Sequence, residues 1–222
     1  MDRRSRKGTQ TRTRDLPDLY RTVGEDVIAY MGRSDGIWLD IGSGLGGLGL
    51  AVASRTAGIV VLVDPDAASL ARAQVEAARR GLAHRVVPIV GRVEALPMPD
   101  GSVDAIMSRG SFYFWQDRAQ GLREIHRVLR PGGKAMIGGG LGRRYPAWAR
   151  REFIRRRREA VERNGPEAVQ QFREARRPET FRRLAVEAGL TAFEIIGEGG
   201  LGADDPQAGV GIWLRYTKEP TT

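Results

Sequence analysis

The chain has 222 residues, of which 41% are hydrophobic and 28% charged, and this balance is typical of one globular domain with an apolar core rather than a disordered chain. It contains no cysteine and only two histidines, so disulfides, thiolate metal sites and cysteine nucleophiles are excluded and we expect no metal centre. No apolar stretch has the length of a membrane span, and the absence of cysteine is compatible with a cytoplasmic protein.

The net charge of +9 is concentrated in two segments. Residues 1–14 carry six basic side chains and one acid without apolar periodicity, so we expect a flexible basic tail. Residues 141–183 carry fourteen arginines and six glutamates, whereas the rest of the chain is mildly acidic. Basic segments attract nucleic acid, anionic surfaces or acidic substrates, but they are also typical of solvated helix faces.

From residue 15 to residue 222 the apolar spacing predicts a single domain in which short strands alternate with helices. The first helix is predicted over 15–31, and the strands over 36–40, 59–63, 86–90, 103–107, 134–137, 193–196 and 210–216. Further helices are predicted through residue 53, over 66–80, over 118–129 and over 180–188. This alternation implies right-handed crossovers and a Rossmann-like α/β fold, a seven-stranded and mostly parallel sheet with helices on both faces.

Residues 141–176 interrupt the alternation, and we predict that they form a helical cap insert. Pro146 opens a predicted helix over 146–163, and a second helix begins near Pro166. One side of the first cap helix is apolar and much of the rest carries arginines, so we expect the apolar side to pack on the core.

The glycine-rich turn after the first strand is the most informative segment. Its sequence from residue 40 to residue 47 is Asp-Ile-Gly-Ser-Gly-Leu-Gly-Gly. Glycines let the backbone turn tightly and a ligand approach it, and N–H groups at the following helix start can receive carboxylate or other anionic groups. Asp64 ends the next strand, where an acid can accept hydrogen bonds from both hydroxyls of a ribose. Ligands of open α/β sheets lie at the carboxyl ends of the strands, so both features predict one crevice.

The same glycines also satisfy G-x-G-x-x-G, the fingerprint of dinucleotide-binding proteins, which is a weak signal by itself. Asp40 precedes the first of these glycines by two residues. An acid at this position can orient the turn and reach an amino group of a ligand, whereas it would repel a pyrophosphate. Asp40 therefore disfavours a nicotinamide or flavin dinucleotide.

Several motifs in this order resemble those of the class I S-adenosylmethionine-dependent methyltransferases, in particular the small-molecule branch that includes the ubiquinone/menaquinone-type enzymes. The motifs are Asp40-x-Gly42-x-Gly44-x-Gly46, Asp64-Pro65, Gly91-Arg92-Val93-Glu94-Ala95-Leu96-Pro97, Ser102-Val103-Asp104-Ala105-Ile106 and the run from Arg123 to Gly133. The resemblance covers residues 36–140 and implies S-adenosylmethionine as cofactor.

The resemblance also implies which residues bind the cofactor. The methionine part is assigned to Asp40 and to the turn that contains Gly42, Ser43, Gly44 and Gly46, and the ribose to Asp64 with Pro65. The adenine is assigned to Arg92, Val93 and Glu94, and Ser108 completes the set. The family usually has an acid where this chain has Arg92; since arginine cannot accept a hydrogen bond, Glu94 or the backbone at Val93 is expected to take over.

We expect the methyl acceptor at the end of the fourth strand, where residues 108–115 combine an arginine, serines and four aromatic residues. Arg109 can clamp a carboxylate or phosphate, and Tyr113 can hydrogen-bond or help to deprotonate an acceptor, so both are predicted catalytic residues. The predicted acceptor-binding residues are Tyr20, Arg109, Ser111, Tyr113 and Tyr145.

The sequence thus predicts in-line methyl transfer to a small, possibly anionic and aromatic acceptor, by a monomer or a homodimer. Two alternatives stay open. The arginine-rich segment 141–176 is compatible with an RNA or DNA methyltransferase, and the cofactor motifs are compatible with a non-catalytic protein that binds S-adenosylmethionine.

Overall fold

Seven strands form one sheet in the computed structural model, which describes residues 15–197 and 211–220. The strands are β1 Ile37–Ile41, β2 Ile59–Asp64, β3 Val86–Val90, β4 Val103–Arg109, β5 Leu129–Gly139, β6 Glu194–Gly197 and β7 Ile212–Thr217. Their order is β3-β2-β1-β4-β5-β7-β6, with β1 to β5 parallel and β7 antiparallel to both of its neighbours. The predicted Rossmann-like, mostly parallel sheet is therefore confirmed.

Helices cover both faces of the sheet. They are α1 Leu19–Met31, α2 Gly47–Ala53, α3 Ala67–Arg79, α4 Arg118–Val128, α5 Ala147–Glu162, α6 Pro166–Glu174 and α7 Pro178–Glu187, with a short 3₁₀ helix at Phe112–Phe114. Helices α1, α2 and α3 share one apolar core with one face of the sheet, and α4 and α7 share another core with the opposite face. No helix described for this chain combines the length and the apolar content that a bilayer-spanning segment requires.

Helices α5 and α6 lie in the predicted insert, and α5 packs against the N-terminal part of the domain. A separate apolar cluster consists of Leu16, Leu19, Leu141, Tyr145, Ala149 and Phe153. On its border the Arg156 guanidinium forms an ion pair with the Asp15 carboxylate at 2.6 Å. The insert is thus attached to the segment that leads into α1 as well as to the end of β5.

The starts of the first helix and of the fifth strand differ most from the predicted boundaries. The first helix begins at Leu19 rather than at residue 15, because the Asp18 carboxylate caps it by accepting a hydrogen bond from the Tyr20 N–H at 2.9 Å. The fifth strand begins at Leu129 rather than at residue 134, because the Pro131-Gly-Gly segment pairs with Lys218: the Gly132 N–H donates to the Lys218 carbonyl at 2.7 Å, and Gly133 accepts a hydrogen bond from the Lys218 N–H at 2.8 Å. The predicted basic tail 1–14 lies outside the described residues.

Candidate active site

The strand register brings the predicted site residues to one edge of the sheet. Ile41 pairs with Val63, so Asp64 lies just beyond the end of β1. On the other side of β1, Arg109 at the end of β4 pairs with Gly138 in β5. The carboxyl ends of β1, β2, β4 and β5 therefore meet at one edge of the sheet, the edge at which ligands of open α/β sheets bind.

Asp40 connects β1 to the start of α2. Its side chain is 2% exposed, and one carboxylate oxygen accepts a hydrogen bond from the Gly49 N–H at 2.8 Å. Burial, opposed by the hydrogen bond from Gly49 and assisted by the nearby Asp64 carboxylate, raises the pKa of Asp40 to about 7. A cation bound beside Asp40 would relieve this cost.

Asp64 holds the glycine-rich turn against the next helix. One of its carboxylate oxygens accepts a hydrogen bond from the Gly44 N–H at 2.8 Å, and the other accepts one from the Asp66 N–H at 2.9 Å. A carboxylate offers about four acceptor positions, so these two bonds leave acceptor capacity for a ligand. Pro65 follows Asp64 directly and leads into the turn before α3.

The glycines of the turn serve different purposes. Gly42 has φ +65°, and a Cβ there would lie 2.2 Å from the Ser111 Cβ, so the β4 end can approach only a glycine. Gly44 has φ +54°, and a Cβ there would meet no atom within 4 Å, so its surroundings are open. Gly46 packs on the core, since a Cβ there would lie 3.0 Å from the Ala73 Cβ. The Ser43 hydroxyl is buried and has no hydrogen-bond partner among the described residues.

The predicted adenine segment is arranged differently from the expectation for Glu94. The Glu94 carboxylate accepts a hydrogen bond from the Gln116 N–H at 2.8 Å and lies 3.7 Å from the Arg92 guanidinium. Glu94 thereby fixes the loop before α4. The Val93 side chain is 5% exposed and belongs to the core, so only the backbone of Val93 is left for a ligand.

Ser108 and Ser111 are part of an internal hydrogen-bond network. Ser108 is fully buried, and its hydroxyl lies 2.6 Å from the Ser111 hydroxyl. The Ser111 hydroxyl donates to the Ile41 carbonyl at 2.9 Å and accepts from the Trp115 Nε1–H at 3.1 Å. With one donor and two acceptor positions, this hydroxyl has no capacity left for a ligand. The two hydroxyls therefore join the ends of β1 and β4, and the predicted contacts of Ser108 with the cofactor and of Ser111 with the acceptor would have to use other atoms of these residues.

Arg109 and Tyr20 lie between the glycine-rich turn and the predicted acceptor region at the end of β4. Arg109 donates from Nε to the Gly140 carbonyl at 2.8 Å, and its guanidinium lies 5.3 Å from the centroid of the Tyr20 ring. The Tyr20 ring lies over Gly47, where a Cβ would come within 2.5 Å of it. Tyr20 is therefore placed where the cofactor turn meets the predicted acceptor region.

Tyr145 lies in the apolar cluster of the cap. It is 3% exposed, and its hydroxyl donates to the Pro17 carbonyl at 3.1 Å. Its side chain thus connects the cap to the segment before α1, and a contact of Tyr145 with the acceptor stays a prediction.

A pocket of about 400 Å³, including its part open to solvent, lies beyond Arg109 and under the cap. Its principal side chains are those of Arg109, Tyr113, Phe153, Arg157, Phe172 and Arg176. The Tyr113 hydroxyl is buried without a hydrogen-bond partner among the described residues, and burial raises its pKa. Tyr113 is therefore protonated at neutral pH and offers a hydrogen-bond donor rather than a base.

A solved structure shows how this arrangement relates to known proteins. The chain superposes with a TM-score of 0.75 and 30% sequence identity on a protein from Methanococcus maripaludis that is described as an S-adenosyl-L-methionine-dependent methyltransferase; the match covers 93% of this chain and 88% of that one. The chain belongs to the S-adenosylmethionine-dependent methyltransferases. In agreement, residues 39–137 match the sequence family described as "Methyltransferase domain".

Curated members of this methyltransferase family resemble the chain over its central part. The rice 2-methyl-6-phytyl-1,4-hydroquinone methyltransferase 2 is 40% identical over 105 residues, which are 45% of this chain and 28% of the rice protein. The ubiquinone/menaquinone biosynthesis C-methyltransferase of Geotalea uraniireducens is 33% identical over 104 residues, which are 45% of this chain and 43% of that protein. The match thus spans less than half the length of these relatives.

The cofactor side of the crevice fits the ligand for which the methyltransferase family is named. S-adenosylmethionine carries a positive sulfonium and amino group and two ribose hydroxyls. Asp40 and Asp64 place two carboxylates beside the open surroundings of Gly44, and the Ser43 hydroxyl has an unused donor. These groups match the charge and the hydroxyls of such a ligand.

Arg157, Phe172 and Arg176 are the pocket residues that the sequence analysis missed. Arg157 follows Phe153 by four residues and therefore lies on the same side of α5, the side that faces the domain. No glutamate stands three or four residues from Arg157, whereas Arg155, Arg156 and Arg158 each have one at that spacing. The lack of a glutamate at this spacing is visible in the sequence, and it distinguishes Arg157, which faces the pocket, from the neighbouring arginines of α5.

Proposed function

We propose that this chain binds S-adenosylmethionine at the ends of β1 and β2 and transfers its methyl group to a small organic acceptor in the pocket under the cap. The observation that carries the proposal is the position of Tyr20 between the acidic turn and the pocket. The Tyr20 ring lies over Gly47 at the end of the turn, and 5.3 Å from its centroid lies the guanidinium of Arg109, which lines the pocket under the cap. Ligand and acceptor can thus meet at the ends of β1 and β4.

The residues around the turn would bind the cofactor. Asp40 faces the positive methionine part, Gly42 and Gly44 let it approach the backbone, Ser43 offers its free hydroxyl, and Asp64 accepts from the ribose. When bound, S-adenosylmethionine supplies an activated methyl group on a sulfonium. Adenine would be held by backbone groups near Val93, because the Glu94 carboxylate is engaged by Arg92 and Gln116.

The residues beyond Arg109 would orient the acceptor. Arg109 retains guanidinium N–H groups beyond the one that it donates to Gly140, and Tyr113 donates a hydrogen bond from a hydroxyl that has no other partner. Tyr20 forms a wall between the acceptor and Gly47. Their contribution to the rate is orientation, because in-line displacement at a methyl carbon depends on alignment of the reacting atoms.

A small, anionic and partly aromatic acceptor is favoured by the lining of this pocket. Its side chains combine guanidinium groups with the rings of Tyr113, Phe153 and Phe172. An aromatic body is also consistent with the rice relative, whose name refers to a hydroquinone.

A nucleic-acid acceptor has less support. The outer arginines of α5 are largely neutralised: Arg155 pairs with Glu152 and Glu159, and Arg158 pairs with Glu162. Phosphate binding would have to displace these glutamates, which reduces the electrostatic gain.

Calorimetric titration with S-adenosylhomocysteine tests the proposal, with NADH as the control ligand. We expect S-adenosylhomocysteine to bind and NADH not to bind. A screen of small acceptors by mass spectrometry should then detect a product that is heavier by one methyl group. Tight cofactor binding with no product from any acceptor class would favour the non-catalytic alternative, and binding of neither ligand would contradict the proposal.

A further inference from the structure

Three arginines face the pocket without a negative partner. Arg109 comes from the end of β4, Arg157 from α5, and Arg176 from the turn after α6. In the part of the chain that the structure describes, none of the three forms an ion pair with a carboxylate. This contrasts with the outer face of α5, where the arginines are paired with glutamates.

Partly buried positive charges without a counter-charge are unfavourable. Burial, together with repulsion by Arg176 and Arg109, lowers the pKa of Arg157 to about 10. Burial also lowers the pKa of Arg176, and Arg109 adds to this effect. An anion between the three guanidinium groups would offset their mutual repulsion and supply the negative partner that they lack.

Arg176 is already oriented for such an anion. Its guanidinium carbon lies 3.9 Å from the ring centroid of Tyr113 and 3.7 Å from that of Phe172. With rings stacked on the guanidinium, its N–H donors, which lie in the guanidinium plane, remain available at the edge. A fork of coplanar donors matches the oxygens of a carboxylate or phosphate.

We propose that Arg109, Arg157 and Arg176 together bind the anionic group, a phosphate or a carboxylate, of the methyl acceptor. Arg157 and Arg176 belong to the cap and Arg109 to the sheet, so the acceptor bridges the two. Phe153 and Tyr113 contact the uncharged body of the acceptor. The role of this arginine site in methyl transfer rests on the proposed function, whereas the binding of an anion by the three arginines does not.

Titration with small aromatic anions tests the site. Phenyl phosphate and benzoate are the probes for the two anionic groups, and benzamide is the uncharged control, each added with S-adenosylhomocysteine present. We expect at least one anion to bind and benzamide to bind at least tenfold more weakly. The double variant Arg157→Gln/Arg176→Gln should lose at least tenfold in affinity for that anion. Arg158→Gln, a neighbour on the exposed face of α5, should bind it as the wild type does.

Three further measurements separate the possible causes of a loss. Thermal unfolding should show that the double variant still unfolds cooperatively, because the repulsion that it loses offsets the contacts that Arg157 and Arg176 lose with aromatic rings, and the anion should raise the melting temperature of the wild type only. Arg157→Lys should retain part of the affinity because it keeps the charge. The affinity for S-adenosylhomocysteine should be unchanged in all variants.

Equal affinity of the wild type and a folded double variant for the anions would overturn the proposal, and so would benzamide binding as tightly as benzoate. Arginine-dependent anion binding by a protein that does not bind S-adenosylhomocysteine would support the anion site and contradict the proposed function. The two proposals can therefore fail separately.

Discussion

The two halves of the crevice carry opposite charge. On the cofactor side, Asp40 and Asp64 are buried carboxylates beside an open glycine turn, and on the acceptor side, Arg109, Arg157 and Arg176 surround a pocket. A cationic ligand is favoured in the first half and an anionic one in the second. The comparison indicates that charge, in addition to shape, assigns each ligand to its half.

The two halves also differ in how the chain builds them. The acidic half comes from two neighbouring parallel strands and the turn between β1 and α2, joined by hydrogen bonds that the Gly49 N–H donates to Asp40 and the Gly44 N–H donates to Asp64. The basic half requires the cap to lie over the end of β4. A substitution in one half should therefore affect one ligand and leave the other unchanged.

The largest effect is expected from Asp64→Ala. Removing the carboxylate takes away the acceptor for two ribose hydroxyls, and charge-assisted hydrogen bonds contribute about 1.5–3 kcal/mol each, so affinity for S-adenosylhomocysteine should fall by about a hundredfold or more. Calorimetry measures this loss, with Asp35→Ala, an exposed acid outside the crevice, as the control. Wild-type affinity in Asp64→Ala would remove Asp64 from the ribose site.

The corresponding change in the basic half is Arg109→Ala. Loss of one guanidinium from the acceptor site should lower kcat/KM by about a hundredfold, equivalent to about 2–3 kcal/mol, for an acceptor found by the screen. Affinity for S-adenosylhomocysteine should stay within twofold of the wild type, because Arg109 lies on the other side of Tyr20. Unchanged turnover would place Arg109 outside the acceptor site.

Asp40 provides a test through stability. Its pKa in the folded protein is about 7, above the value of 3.8 that applies when it is exposed, so the folded state retains a proton that the unfolded state has released. The free energy of unfolding of the unliganded protein should therefore fall between about pH 4 and pH 7, by up to about 4 kcal/mol from this group.

Asp40→Asn should abolish this part of the pH dependence and be more stable than the wild type at pH 8, because the amide oxygen can still accept from the Gly49 N–H. It should also bind S-adenosylhomocysteine more weakly. Denaturant titrations at pH 5 and pH 8 measure the first effect. The same pH slope in both proteins would contradict the assignment of that slope to Asp40.

The smallest effect is expected from Arg158→Gln. Arg158 is exposed on the outer face of α5 and pairs only with Glu162 one turn further along the helix. Exposed pairs of this kind contribute little, so neither the melting temperature nor either ligand affinity should change measurably. A clear loss of acceptor affinity would show that the acceptor responds to positive charge anywhere on the cap. It would contradict the distinction between the face of α5 that lines the pocket and its exposed face.

The sequence alone predicted the family and the order of the strands along the chain, and it predicted that Asp40 and Asp64 lie at the same edge of the sheet, as the strand register has them. These depend on contiguous motifs, in which a buried strand, a glycine turn and an acid at the end of the next strand follow each other closely. It was less successful where local signals competed. The Pro131-Gly-Gly segment resembles a turn, and Gly132 indeed has a φ of +75°, but hydrogen bonds of Gly132 and Gly133 with the distant Lys218 include the segment in β5.

The hydroxyl groups show the same limit. The hydroxyls of Ser111 and Tyr145, both predicted to bind the acceptor, donate to the carbonyls of Ile41 and Pro17, which are distant in the chain, and the Ser108 hydroxyl pairs with that of Ser111. Tyr113, which is adjacent to this network, has no such partner and keeps its hydroxyl for a ligand. Only the positions of the distant carbonyl groups distinguish these cases.

The sequence by itself thus determined the sheet, the glycine turn and the acidic half of the crevice, because the strand ends of a parallel sheet necessarily meet at one edge. The tertiary structure alone decided which arginines of the basic cap face the acceptor pocket. Arg155 and Arg158 pair with glutamates about one helical turn away. Arg157 and Arg176 contact aromatic rings and come close to Arg109 only after the cap has packed on the domain. Pairing within a helix is local, but the assembly of three separated arginines around one pocket depends on packing across the whole domain.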